Sequence, residues 1–158
     1  MSREQGRWRR IVIKVGTSSL VDATGRIAQH KMWDIARGAR VLAAAQDCSA
    51  KGRPGATGAQ FVIVTSGAGA AGRERLGLKL PLTLPQKQAA AAVGQTLLML
   101  DWERALAPLP TAQLLISAGD VQERERYVNA KSALEASLAL SAVPIVNEND
   151  SVATAELK

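Results

Sequence analysis

Four short apolar runs constrain the fold of this chain more than any other feature: IVIKV (11–15), FVIVT (61–65), QLLI (113–116) and VPIV (143–146). Each is short, rich in branched residues and without polar alternation. Such runs predict strands buried on both faces, as in a parallel sheet. Parallel neighbours need long crossovers, and the intervening segments carry helical patterns. Met32, Ile35, Ala36, Ala39, Leu42 and Ala43 recur at the i, i+3, i+4 spacing of one helix face. Thr83 and Gln86 make a capping box, with Pro85 in the first turn of a helix running toward Ala105. Asn129 is placed to cap a further helix, whose buried side includes Leu134 and Leu138. Strands alternating with helices predict an α/β layered domain with right-handed crossovers. At 158 residues the chain suits one domain with a real core. The segment 46–60, rich in glycine and small residues, reads as a flexible loop between helix and strand.

Several function classes drop out. No apolar run approaches the roughly 18 residues of a membrane span, and the polar start MSREQGRWRR is unlike a signal peptide. These features predict a protein without a membrane partner. Cys48 is the lone cysteine, which excludes an internal disulfide and fits a reducing cytoplasm. The net charge is +6, with Arg3, Arg7, Arg9 and Arg10 clustered at the start. No interleaved aromatics, zinc-ligand spacing or helix-turn-helix pattern accompany that charge, so it predicts a solvated tail rather than a nucleic-acid partner.

In parallel sheets, ligands bind beyond the carboxyl ends of the strands. Here those ends read KVGTSS, SGAGAAG and NENDS. Lys14 stands in the first apolar run, where a charge is costly unless an anion meets it. With Gly16, Thr17 and Ser18 it offers a cation, close backbone approach and hydroxyl donors; an ordinary turn with a snorkelling lysine explains the segment equally well. GAGAAG (67–72) matches the dinucleotide fingerprint G-x-G-x-x-G. That motif requires an acidic residue about 20 positions on, and no acidic residue stands between Glu74 and Asp101. A glycine-rich helix start without a ligand accounts for it as well. GRERLGLK (72–79) is not a phosphate-binding loop, because Leu78 follows the second glycine where lysine must stand. Asn147, Glu148, Asn149 and Asp150 follow the fourth strand; alone they suggest an Asx-rich turn, and beside an anion cradle they suggest a site for a zwitterion. QERERYVNAK (122–131) reads as a solvated charged face. No cluster of histidines and cysteines predicts a metal site.

Five segments in order, VIKVGTSSL, FVIVTSGAGAAGRERLG, KQAAAAVGQTLLM, RERYVNAKSAL and VPIVNENDSVATAELK, resemble the glutamate 5-kinases of the amino acid kinase superfamily. The resemblance implies a three-layer αβα sandwich with a mainly parallel sheet, residues 1–158 forming its N-terminal amino-acid-binding part. The implied reaction is transfer of phosphate from ATP, with Mg2+, to the side-chain carboxylate of L-glutamate, the first step toward proline. It makes Lys14 the catalytic cation, with Gly16 and Thr17 beside the phosphate path. It places Ser66, Gly67 and Ala68 against glutamate, and Asn147 and Asp150 at its ammonium end. It further implies a homo-oligomer, cytoplasmic location and proline as a feedback inhibitor. The family continues past the segment matching ATAELK into metal- and nucleotide-binding parts, so the resemblance implies a truncated sheet, marginal stability or association, and no ATP subsite within these residues. Two alternatives stand beside it: a non-catalytic glutamate- or proline-binding regulatory module, and a kinase for N-acetylglutamate or aspartate. An NAD-dependent oxidoreductase rests on GAGAAG alone.

Overall fold

The computed structural model describes the backbone of residues 10–22, 24, 26–47 and 60–152 and, outside 42–47, their side chains. The loop expected at 46–60 lies outside the described residues over 48–59, as do Cys48, Arg3, Arg7 and Arg9.

The four apolar runs become β1 (Arg10–Lys14), β2 (Gln60–Val64), β3 (Thr111–Ile116) and β4 (Val143–Glu148). They form one parallel sheet in the order β1-β2-β4-β3. The helices are α1 (Thr17–Leu20), α2 (Gln29–Asp47), α3 (Ala68–Arg75), α4 (Leu84–Leu106), α5 (Ala118–Gln122) and α6 (Arg124–Ala139). The α/β class predicted from the sequence is the one observed.

Side chains alternate across the sheet. One face carries Ile11, Ile13, Phe61, Ile63, Val143 and Ile145, which pack with Met32 and Ala36 of α2 and with Leu98 and Trp102 of α4. Trp102 is wholly buried and donates its indole N–H to the Thr65 hydroxyl at 3.0 Å, so the largest core side chain leaves no donor unpaired. The opposite face is covered by α6, which packs on β3 and β4. Helices on both faces make the three layers.

The central strands β2 and β4 are buried on both faces, as their runs predict. The two edge strands, β1 and β3, are not: no residue of β3 is fully buried, and the alternate residues Arg10, Val12 and Lys14 of β1 face solvent. An edge strand has one neighbour, and α6 packs on β3 and β4 rather than over β1.

The capping box of α4 forms as expected, with Thr83 accepting from the Gln86 backbone and Pro85 in the first turn. Asn129 does not cap a helix. It lies inside α6, which begins five residues earlier at Arg124, because α5 delivers the chain through Glu123 directly into the next helix. The start signal was instead Ser117, whose side chain caps α5 reciprocally with Asp120. Leu138 is buried and Leu134 half-buried, in line with the expected face.

GAGAAG serves helix packing. Gly67 holds φ 103°, a left-handed conformation that turns the chain sharply from β2 into α3. At Gly72 a Cβ would stand 1.7 Å from the Ala90 carbonyl oxygen, and at Gly94 one would stand 1.8 Å from that of Ala68. Backbones of α3 and α4 therefore touch where neither helix has a side chain.

Candidate functional site

The carboxyl ends of the strands meet the starts of α1 and α3. Beyond β1, Gly16 precedes α1; beyond β2, Ser66 and Gly67 precede α3. Thr17 and Ser66 are joined hydroxyl to hydroxyl at 2.6 Å, which ties the first two strand ends together. The α3 N-cap is Gly67 and supplies no side-chain hydrogen bond, so the first amides of that helix have no side-chain acceptor from their cap.

Beside them a cavity of about 270 Å³ opens at the ends of β3 and β4. Its walls include Ala68 from α3, Gln95 from α4, Gln113 from β3, and Glu148 and Asp150 from the end of β4. A second cavity of about 290 Å³ shares Ala91 and Asp150 and adds Arg73 and Lys87. Asp150 thus stands between the two, with carboxylate chemistry on one side and two cations lining the other.

Asn147 lies beneath the first cavity and is 5% exposed. It shares the sheet face of Ile145, which turns it toward α4, and there its Nδ2 donates to Gln95 Oε1 at 2.7 Å. The NENDS segment also contains the plain turn that its composition suggests: Ser151 donates its hydroxyl to Asn149 Oδ1 at 2.7 Å, and the Val152 amide donates to the Asn149 carbonyl.

The structure brings together Thr17 with Ser66, and Ala68 with Asp150, and seats Asn147 directly behind the cavity. It does not bring Lys14 to that cavity. Lys14 is exposed, on the sheet face opposite Asn147, and the cost of a buried charge does not arise. The reason is again the edge position of β1. Gly16 has open space around the place of a Cβ, so its glycine answers no packing demand of the described residues. Neither cavity is lined by Lys14, Gly16 or Thr17.

Sequence reasoning missed Gln95. Its signal was a polar residue on the apolar face of α4, one turn from Ala91 and one from Leu98. Two carboxylates with lowered pKa lie away from the cavity. Asp120 is held below 3.8 chiefly by the Ser117 hydroxyl, then by the Ser117 amide. Asp22 is held down chiefly by the Thr24 hydroxyl, then by the Arg26 amide.

Among the described residues no group of three or more His, Cys, Asp or Glu could hold a metal ion. No described helix is long and apolar enough to cross a membrane.

A model of the amino acid kinase family matches residues 9–157. The glutamate 5-kinase of Paramagnetospirillum magneticum is 44% identical over 153 residues, covering 95% of this chain and 38% of its own. That of Thermus thermophilus is 45% identical with the same coverage, and that of Moorella thermoacetica is 47% identical. The chain therefore spans about 38% of the length of the curated relatives it matches.

Proposed function

The chain belongs to the amino acid kinase family, and on that premise we propose that it is the amino-acid-binding part of a kinase acting on the side-chain carboxylate of L-glutamate in proline biosynthesis. The observation that carries this reading is the cavity at the ends of β3 and β4, where Asp150 and Glu148 face the start of α3. The carboxylates suit a ligand's ammonium group, and the helix start suits its carboxylate. The lone Cys48 accords with a cytoplasmic location.

The chemistry asks little of a general base. A glutamate side chain has an ordinary pKa of about 4.3 and is already an anion near neutral pH. Its oxygen attacks the γ-phosphorus of ATP, an O–P bond forms, the bond to the β-phosphate oxygen breaks, and ADP leaves. Positioning and charge neutralisation then dominate the barrier. In this reading Asp150 and Asn147 hold the ammonium end, and Ser66, Gly67 and Ala68 face the carboxylate. Lys14, with Gly16 and Thr17, neutralises the transferring phosphoryl group; its exposed strand-end position leaves it open to such a partner.

Glutamate-dependent ADP release with Mg2+ and hydroxylamine tests this, the hydroxamate reporting any glutamyl phosphate. Hydroxamate that falls at least ~100-fold in Lys14→Ala, the scale of one electrostatic donor in a transition state, would mean that these residues assemble an ATP site; glutamate binding without hydroxamate is the outcome expected of an amino-acid-binding part alone. The separation of Lys14 from the cavity supports a second reading, a binding module without turnover. Glutamate or proline binding with no hydroxamate would favour it, and preference for aspartate or N-acetylglutamate would redirect the substrate.

A further inference from the structure

Thr65 is 4% exposed and Trp102 is wholly buried, and the two meet in the core beneath the turn from β2 into α3. The indole N–H of Trp102 donates to the Thr65 hydroxyl at 3.0 Å, and that hydroxyl donates to the Ser66 carbonyl at 3.3 Å. Chemistry fixes both directions. An indole nitrogen only donates and a carbonyl only accepts, so the hydroxyl between them has one proton and one place to send it. The Thr65 amide donates to the Val146 carbonyl at 2.8 Å, and the Ser66 hydroxyl meets that of Thr17 at 2.6 Å. A core tryptophan of α4 is thus joined, through one side chain, to the turn that ties together the ends of β1, β2 and β4.

The turn needs such a hold. Gly67 stands at φ 103°, and glycine reaches positive and negative φ about equally, so the peptide joining it to Ser66 has more than one orientation open to it. That peptide is trans, and its carbonyl and the Gly67 N–H point in opposite directions. A Ser66 carbonyl kept toward Thr65 turns the Gly67 N–H away from the core. Packing alone does not ask for this chemistry, since valine has the shape of threonine and phenylalanine brings no donor to satisfy. Resting on the function proposed above, we propose that Thr65 and Trp102 are positioning residues: the Trp102 N–H orients the Thr65 hydroxyl, and the hydroxyl fixes the Ser66–Gly67 peptide with its N–H presented to the bound amino acid. Neither side chain lines the cavities at the strand ends, so both act through the turn.

Two substitutions of Thr65 separate this role from plain packing. Thr65→Val keeps the shape and loses the hydroxyl, whereas Thr65→Ser keeps the hydroxyl and loses a buried methyl. In calorimetric titration of the 158-residue chain with L-glutamate, Thr65→Val should weaken binding at least ~5-fold, the scale of one hydrogen bond, while Thr65→Ser stays within about twofold. Combining Thr65→Val with Trp102→Phe leaves no buried indole donor unmet, and the double variant should bind as weakly as Thr65→Val alone. NMR of the unsubstituted chain gives a readout that requires no variant to fold. The Trp102 indole N–H resonance should move on saturation with L-glutamate, and that of Trp33, exposed on α2, should not. Equal losses in the two Thr65 variants, binding within about twofold in a folded Thr65→Val, binding restored in the double variant, or a Trp102 resonance unmoved at saturation overturns the assignment and leaves the proposed function intact. Absence of glutamate binding to the unsubstituted chain overturns both.

Discussion

Asp120 accepts from the Ser117 amide at 2.8 Å and from the Ser117 hydroxyl at 2.6 Å, with Arg126 approaching its other oxygen. All three contacts favour the ionised carboxyl, so its folded pKa lies below the ordinary 3.8. A depressed carboxylate contributes stability that is fully present above its unfolded pKa and is lost as pH falls through the folded one. Asp120→Asn should therefore lower Tm by a constant amount between neutral pH and about 5, and the gap should close as the pH drops below 3.8. Thermal unfolding of both proteins across that range checks it. Single residues also misled. Ser117 and Asp120 form a legible capping pattern, S-x-x-D, that draws less notice than Asn129. Lys14 was legible as a residue to watch, but its surroundings were not. Exposure depends on whether a second strand or helix arrives beside β1, which no local pattern encodes.

At the scale of elements, α3 and α4 meet through Gly72 and Gly94 with their backbones in contact. Alanine at position 72 would drive a Cβ into the Ala90 carbonyl, which no rotamer change can relieve. Gly72→Ala should cost at least ~2 kcal/mol in urea unfolding, at the upper part of the usual overpacking range. Gly38 offers the control. It lies within α2, where an alanine methyl would meet nothing within 4 Å, so Gly38→Ala should stabilise by about 0.5–1 kcal/mol. Equal effects at the two positions would refute the packing account. GAGAAG was visible at once in the sequence, yet three meanings share the pattern: a phosphate cradle, a helix start and a helix contact. Only the approach of α4, some twenty residues further along the chain, selects among them.

For the whole molecule, the balance of charge and core decides the response to salt. Five ion pairs among the described residues each include an arginine at least 60% exposed. Exposed pairs contribute little and are readily screened, while a net charge of +6 is relieved of self-repulsion by the same ions. Raising NaCl from about 0.1 M to about 1 M should change the unfolding free energy by less than ~1 kcal/mol. A larger loss would mean that surface pairs contribute more than the core of Leu98, Trp102, Ile63 and Ile145 leads one to expect.

The sequence by itself determined the layers. Branched apolar runs at 11–15, 61–65, 113–116 and 143–146, with capped helical patterns between them, admit few arrangements other than a parallel sheet covered by helices, because backbone period and apolar burial are local properties. It also indicated the strand ends as the place for a ligand. The tertiary structure alone decided that β1 and β3 stood at the edges, and hence that Lys14 met solvent. It alone joined Asn147 to Gln95 across 52 residues of sequence. Such a pairing arises only when the sheet register and the packing of α4 are both set, since an amide reveals its partner by distance and not by spacing along the chain.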